Sequence, residues 1–424
     1  MWEVKKISSW VELMALVLMG CDSSSEMDVT AQNAEAGSED NVPEAEESSE
    51  FVETFPALEV PEGDPGLLGP HAVGHTELTI VDPDDSERML ATQVWYPAEA
   101  FDEEALTTYV IGSLGPLTLD YGSSHAQRDV PAAKGPFPFV IFSHGYGGIA
   151  TQSLDLCERL ASHGFVVASP AHAGNTAEDD FNETSVSKEE AAADRPRDVR
   201  TLMDTFTDDA ALPELLAGLV DAERIGVTGH SFGGFTSLSA VAGYDAGDMG
   251  PDPRVKAVAP ICPGTDYFND QELAAVTVPV AFIGGTLDAS VPIDPHVTRP
   301  YELISSVNRL RVDVIDATHT HFANICTIGD ALIEMGLAMD VWEDVGAGQL
   351  YDLYDEVCGE NAFPVEEAIR LQTHYVVAFF KVHVSGEPAW ELYLSADYAA
   401  ACESDIAFFS AGETEGLVSP PCLH

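Results

Sequence analysis

A serine hydroxyl becomes a nucleophile only when a base can take its proton and the backbone leaves room for a substrate. Gly229-His230-Ser231-Phe232-Gly233 offers such a serine. It follows the apolar run 224–228 and leads into 234–238, which can start a helix. Strand, Gly-x-Ser-x-Gly and helix in succession make a nucleophile elbow, a turn so sharp that the serine stands clear of the sheet in a strained conformation. Two glycines flanking Ser231 leave space for neighbouring backbone.

The base and the group that orients it should follow in the order Ser, acid, His. The strand expected at 278–283 runs into Gly284-Gly285-Thr286-Leu287-Asp288. An acid just past a strand end sits at the carboxyl edge of a parallel sheet, where ligands bind. Asp288 is therefore the expected orienting carboxylate, with Asp294 its nearest rival. After the strand at 310–315 comes Asp316-Ala317-Thr318-His319-Thr320-His321. His319, at the start of that loop, is the expected base, and His321 is the alternative. The oxyanion formed on attack needs two backbone N–H donors. Phe232, after the nucleophile, supplies one. The loop Ser143-His144-Gly145-Tyr146-Gly147-Gly148 supplies the other, assigned to Tyr146, with the His144 side chain structural. This chemistry needs no metal and no organic cofactor.

These residues need a frame. Apolar runs at 137–142, 165–169, 224–228, 255–261, 278–283 and 310–315 alternate with helical patterns at 154–163, 195–206 and 365–381. Runs apolar on both faces fit central strands covered by helices. Residues 76–81 and 89–96 read as two antiparallel strands joined by an Asp/Pro turn. The expected fold is α/β, a mostly parallel eight-stranded sheet with helices on both faces. The acidic stretch 173–193 reads as a lid or a surface connector.

The chain has 424 residues, 45% of them apolar, enough for one large core. It carries 72 acidic against 18 basic residues, a formal charge of −54, and only 6 of the basic residues are Lys. Such a polyanion repels nucleic acid and anionic membranes, and it fits a protein kept soluble in high salt. At the N-terminus, Lys5 and Lys6 precede a short apolar run. Leu18-Met19-Gly20-Cys21 has the form of a lipoprotein signal, with Cys21 the residue to be lipidated. Residues 22–66 hold 14 Asp/Glu and no Lys or Arg, the composition of a disordered tether. The expected organisation is a signal peptide at 1–21, the tether at 22–66, a catalytic domain at 67–388 and a C-terminal extension at 389–424. Membrane contact would be through the lipid anchor alone, on the bacterial cell envelope, or the chain would be secreted. The remaining six cysteines suggest disulfides, by proximity Cys326–Cys358 and Cys402–Cys422, with Cys157 and Cys262 as core thiols.

Taken together, the elbow, Val94-Trp95-Tyr96-Pro97, the 142–148 loop, Ala171-His172-Ala173-Gly174-Asn175-Thr176, Arg195-Pro196-Arg197-Asp198-Val199, Gly285-Thr286-Leu287-Asp288 and His319 with Phe322 resemble an α/β-hydrolase. The likeness is to the group of dienelactone hydrolases and platelet-activating-factor acetylhydrolases, which includes cutinase-like lipases. Dienelactone hydrolases carry a cysteine nucleophile, and here it is Ser231. The plasma acetylhydrolases place their acid after the sixth strand, where this chain has Cys262, so Asp288 resembles the cutinase-like arrangement. The resemblance implies a serine hydrolase of esters; the expected substrate is a small-molecule, lipid or polymeric ester and the expected state a monomer. An acyltransferase using the same triad and a non-catalytic surface binding protein are the alternatives.

Overall fold

The computed structural model describes residues 61–411, apart from 62, 100–105, 115–116, 335, 337 and 342–347, together with Cys422. Cys21, the signal sequence and nearly all of the tether lie outside the described residues.

One sheet of eleven strands organises the molecule: β1 (Ala72–Val81), β2 (Met89–Ala98), β3 (Leu106–Leu114), β4 (Leu117–Arg128), β5 (Phe137–Ser143), β6 (Val166–Pro170), β7 (Val220–His230), β8 (Val255–Ile261), β9 (Val280–Gly285), β10 (Arg309–Val314) and β11 (Ile406–Ser410). Their spatial order is β11-β10-β9-β8-β7-β5-β6-β2-β1-β4-β3. β6, β5, β7, β8, β9 and β10 run parallel to one another, and β1 pairs antiparallel with β2, as the sequence suggested.

The central strands are apolar on both faces because both are covered. Val140 and Phe142 enter one buried cluster with the helices Leu154–Ser162 and Val365–His383. Phe139 and Ile141 enter a second cluster with Lys188–Phe206 and Phe232–Ala242. This is the α/β-hydrolase architecture, with a sheet wider than the expected eight strands. β3 and β4 form a hairpin whose inner strand pairs parallel to β1, Val73 opposite Ala126. β11 pairs antiparallel with β10, so the C-terminal segment completes the sheet rather than extending from it. On the other side, Asp64 is buried against His374 and Arg370 at the far end of the chain, so the fold reaches into the stretch read as tether. Both expected disulfides are present, and Cys157 and Cys262 are buried free thiols.

The helix expected from residue 195 begins at Lys188. Pro196 therefore lies inside the helix rather than in its first turn. In fact Ser187 caps the helix by accepting the Glu190 amide, and Glu189 and Glu190 favour its positive end. The acidic stretch is thus folded, with Thr176 capping a second short helix, Ala177–Phe181. No helix among the described residues is long and apolar enough to cross a membrane.

Register places the functional loops. Ser143 lies opposite Gly229, His230 opposite Ile261, Ile261 opposite Ile283, and Val314 opposite Gly285. The carboxyl ends of β5, β7, β8, β9 and β10 are therefore level, and the loops that follow them meet along one edge.

Candidate active site

Ser231 sits between β7 and the helix Phe232–Ala242 with φ +59° and ψ −118°. That is a left-handed conformation costly to a residue with a Cβ, and it persists because the surroundings fix it. The Ser231 amide donates to the Ile261 carbonyl (2.9 Å), and its own carbonyl accepts from Gly234 and Phe235. A Cβ at Gly233 would overlap the Ser143 carbonyl, and one at Gly229 would crowd the Gly233 carbonyl. Only glycine permits the β5 loop and the elbow to approach this closely. Behind Ser231, the helix N-terminus favours negative charge.

At the end of β9, Asp288 is buried with one carboxylate oxygen accepting the Ser290 (2.9 Å) and Val291 (2.8 Å) amides. Its other oxygen lies 2.7 Å from His319 Nδ1. Burial alone would raise this carboxyl, but His319 and the Val291 amide outweigh it and hold it below its usual value. Asp294, the rival acid, is exposed on a short helix away from this contact.

His319 opens the turn His319–Phe322, and its Nδ1 contact with Asp288 leaves Nε2 as the nitrogen free to act on a proton. Among the described residues no hydrogen bond joins Nε2 to Ser231 Oγ. Catalytic hydrogen bonds of unliganded sites are often long and tighten on substrate binding. The residue before Ser231 does touch His319: His230 donates from Nε2 to the His319 carbonyl (2.9 Å), with the two rings 4.6 Å apart. His321 is committed elsewhere. Its Nδ1 accepts the Thr318 amide (2.9 Å) and its Nε2 donates to the Phe363 carbonyl (3.1 Å), so the ring ties this turn to the next segment.

The Tyr146 amide and the Phe232 amide donate to no protein group among the described residues. Their side chains meet edge to face at 5.6 Å, and Tyr267 packs against Phe232 at 5.4 Å, forming an aromatic wall beside the elbow. His144 is fully buried, accepting the His172 amide at Nε2 and donating from Nδ1 to the Gly145 carbonyl, which suits the structural part expected of it.

Gln152 was not anticipated. Its Oε1 accepts the Gly145 amide (2.8 Å) and its Nε2 donates to His230 Nδ1 (2.8 Å), coupling the 143–148 loop to the residue before Ser231. Nothing in the sequence marks it. His230 was within view, as the variable position before the serine. Burial drives its pKa down to about 3, so it stays neutral.

Two further clusters need separating from this site. Ser143 Oγ lies 2.9 Å from His172 Nε2, and His172 Nδ1 lies 2.7 Å from Asp198, a second Ser–His–Asp series. All three residues are fully buried, and Arg88 already occupies both Asp198 oxygens. An ester carbonyl has no path to Ser143, and the carboxylate is already neutralised. His230, Cys262 and His319 present ligand atoms within 4.8 Å of one another, a set whose donors suit zinc. Both His230 nitrogens are already used, however, and burial together with Asp288 pushes the Cys262 thiol up, away from the thiolate a metal needs.

A covered parallel sheet, a strained serine at its elbow and an Asp–His pair on the same edge define a member of the α/β-hydrolase superfamily, in its dienelactone-hydrolase-like group. Within it, the chain belongs to the PET hydrolase-like family, whose model matches residues 121–339, just over half of the 424. The matched region contains Tyr146, Ser231, Asp288 and His319. Cutinase est1 of Thermobifida alba is 28% identical over 190 residues, covering 45% of this chain and 55% of the relative. Cutinase 2 of Thermobifida cellulosilytica is 28% identical over 191 residues, covering 45% and 63%. A bis(hydroxyethyl) terephthalate hydrolase of Streptomyces coelicolor is 26% identical over 200 residues, covering 47% and 56%. The chain thus spans between about half and under two thirds of the length of these relatives.

Proposed function

We propose that this protein is a serine hydrolase of carboxylic esters that works through an acyl-enzyme on Ser231. The observation that carries the reading is the buried Asp288–His319 contact of 2.7 Å, on the edge where the elbow holds Ser231 at φ +59°. The cutinase and terephthalate-ester hydrolase names among its relatives support the same chemistry.

Ser231 Oγ attacks the ester carbonyl carbon while His319 Nε2 takes its proton. The Asp288 carboxylate holds the imidazole by Nδ1–H and offsets the charge it gains. The carbonyl electron pair moves onto oxygen, where the Tyr146 and Phe232 amides and the helix N-terminus receive the negative charge. Collapse expels the alcohol, which takes the proton from His319. Water then attacks the acyl-enzyme by the same route, and carboxylic acid leaves. The Tyr146–Phe232–Tyr267 wall suits an acyl group with flat or apolar surface.

The test is pre-steady-state hydrolysis of a short-chain nitrophenyl ester. A burst of nitrophenol stoichiometric with enzyme is expected, and it disappears in Ser231→Ala. Absence of turnover on every short and medium ester, with a folded protein, would overturn the proposal.

A further inference from the structure

Arg195 is fully buried in the helix Lys188–Phe206, yet among the described residues no carboxylate lies within ion-pair distance of it. Burying an uncompensated guanidinium is expensive and calls for an explanation. Its nearest acid, Asp198, spends both oxygens on Arg88 and one of them also on His172. Arg88 is matched by Asp198 and by Asp194, while Arg195 has no carboxylate of its own among the described residues. Arg195 Nε has no hydrogen-bond partner among the described residues. Burial lowers its pKa to about 9, which leaves the guanidinium charged at neutral pH.

The two terminal nitrogens are directed at the oxyanion loop. One donates to the His144 carbonyl; the other donates to the Gly145 carbonyl (2.8 Å) and to Asn175 Oδ1 (2.6 Å). The guanidinium also lies 4.8 Å from the centre of the Phe232 ring. The Gly145 carbonyl belongs to the same peptide group as the Tyr146 N–H. In a planar trans peptide the two point in opposite directions. Whatever holds that carbonyl therefore aims that N–H. Three donors hold it: Arg195, His144 Nδ1 and the Gly148 amide (3.1 Å). A positive charge on the oxygen end of an amide also draws electron density from its N–H and strengthens it as a donor.

The geometry points to Arg195 as a positioning residue for ester hydrolysis: it aims and polarises the Tyr146 amide, so that a buried positive charge acts on the developing oxyanion through one peptide group. This inference rests on the hydrolase reading above. It also explains why Asn175, rather than an acid, faces Arg195. Asn175 leaves its own Nδ2 buried without a partner among the described residues, so an aspartate would pair better, but it would cancel the charge.

Asn175→Asp separates this role from a structural one. It is close to isosteric, removes an unpartnered N–H and gives Arg195 a counter-ion, so a purely structural arginine predicts unchanged or improved stability and unchanged turnover. The inference predicts that melting temperature holds while kcat on a nitrophenyl ester falls at least about tenfold with KM within about twofold, less than the 10²–10³ lost when a whole oxyanion donor is removed. An alkyl trifluoromethyl ketone supplies the second readout. Ser231 Oγ adds to its carbonyl carbon, the π pair moves onto oxygen, the serine proton goes to His319, and the stable adduct carries the oxyanion. Its affinity should fall by the same factor as kcat. Arg195→Gln should do likewise, and Arg195→Lys, which keeps the charge, should recover part of the loss. An Asn175→Asp enzyme with wild-type kcat and ketone affinity would overturn the inference and leave the hydrolase reading standing. A wild-type protein that neither turns over esters nor binds the ketone would overturn both.

Discussion

His319 and His321 stand two positions apart in one turn, yet their surroundings assign them different work. One shares its Nδ1 with a buried carboxylate; the other spends both nitrogens on backbone. Replacing His319 with Ala should cost at least about 10²-fold in turnover. Replacing Asp288 with Asn, which keeps the shape but reverses the hydrogen bond it can offer, should cost about 10⁴-fold in kcat, as expected when the imidazole is held in the wrong tautomer. His321→Gln should lower melting temperature and leave kcat within a fewfold of wild type. Steady-state kinetics on one ester across the three variants checks all of this. A His321 variant as damaged in kcat as the His319 one would contradict the assignment. At this scale the sequence was informative where chemistry is carried by residue type and spacing: Ser231, Asp288 and the His319 turn. It was silent on Gln152 and on the target of Arg195, because their partners are backbone groups that only the folded loop brings within reach.

At the scale of elements, the β3–β4 hairpin is fastened by a polar chain inside the protein. Trp95 Nε1 donates to Tyr109 Oη, which donates to Glu158 Oε1 (2.8 Å), and Ser123 Oγ donates to the same oxygen (2.6 Å). Glu158 lies on the helix Leu154–Ser162, so this carboxyl ties the hairpin to the core. Burial pushes it up to about 7, against the two hydroxyl donors that would lower it. The native state thus holds the Glu158 proton more tightly than the unfolded chain does. Its contribution to stability is complete below the usual glutamate range and is lost as pH rises through about 7. Melting curves of wild type and Glu158→Gln between pH 5 and 8 should therefore converge or cross, with the wild type losing ground as pH rises. A constant difference across that range would contradict this account. The hairpin also marks where the sequence could not be read. Residues 106–128 have no clean alternation, and their strand identity comes from pairing β3 with β4 and, at Ala126–Arg128, β4 with β1, a contact distant in sequence. β11 has the same explanation: 406–410 is a strand because β10 offers it an edge. The six parallel strands from β5 to β10 were legible because burial on both faces writes a continuous apolar run.

Over the whole molecule, the dominant fact is the charge of −54 from 72 acidic and 18 basic residues. Several arginines serve inside the fold, among them Arg88, Arg195 and Arg370, which leaves few to offset the acidic surface. Self-repulsion on this scale weakens the compact state, and added salt shortens its range from about 10 Å at 0.1 M to about 3 Å at 1 M. Melting temperature should rise as NaCl increases from 0.1 to 1 M. A flat or falling curve by scanning calorimetry would mean that the acidic surface is already compensated.

The proposed hydrolysis requires that Ser231 alone among the serines be activated, although Ser143 lies in its own Ser–His–Asp series. A fluorophosphonate reports activation directly, because the activated oxygen displaces fluoride and keeps the phosphorus. Peptide mapping by mass spectrometry after labelling should find one adduct per chain, on Ser231, and almost none in His319→Ala over the same time. An adduct on Ser143, or a folded protein that takes up no label, would contradict it.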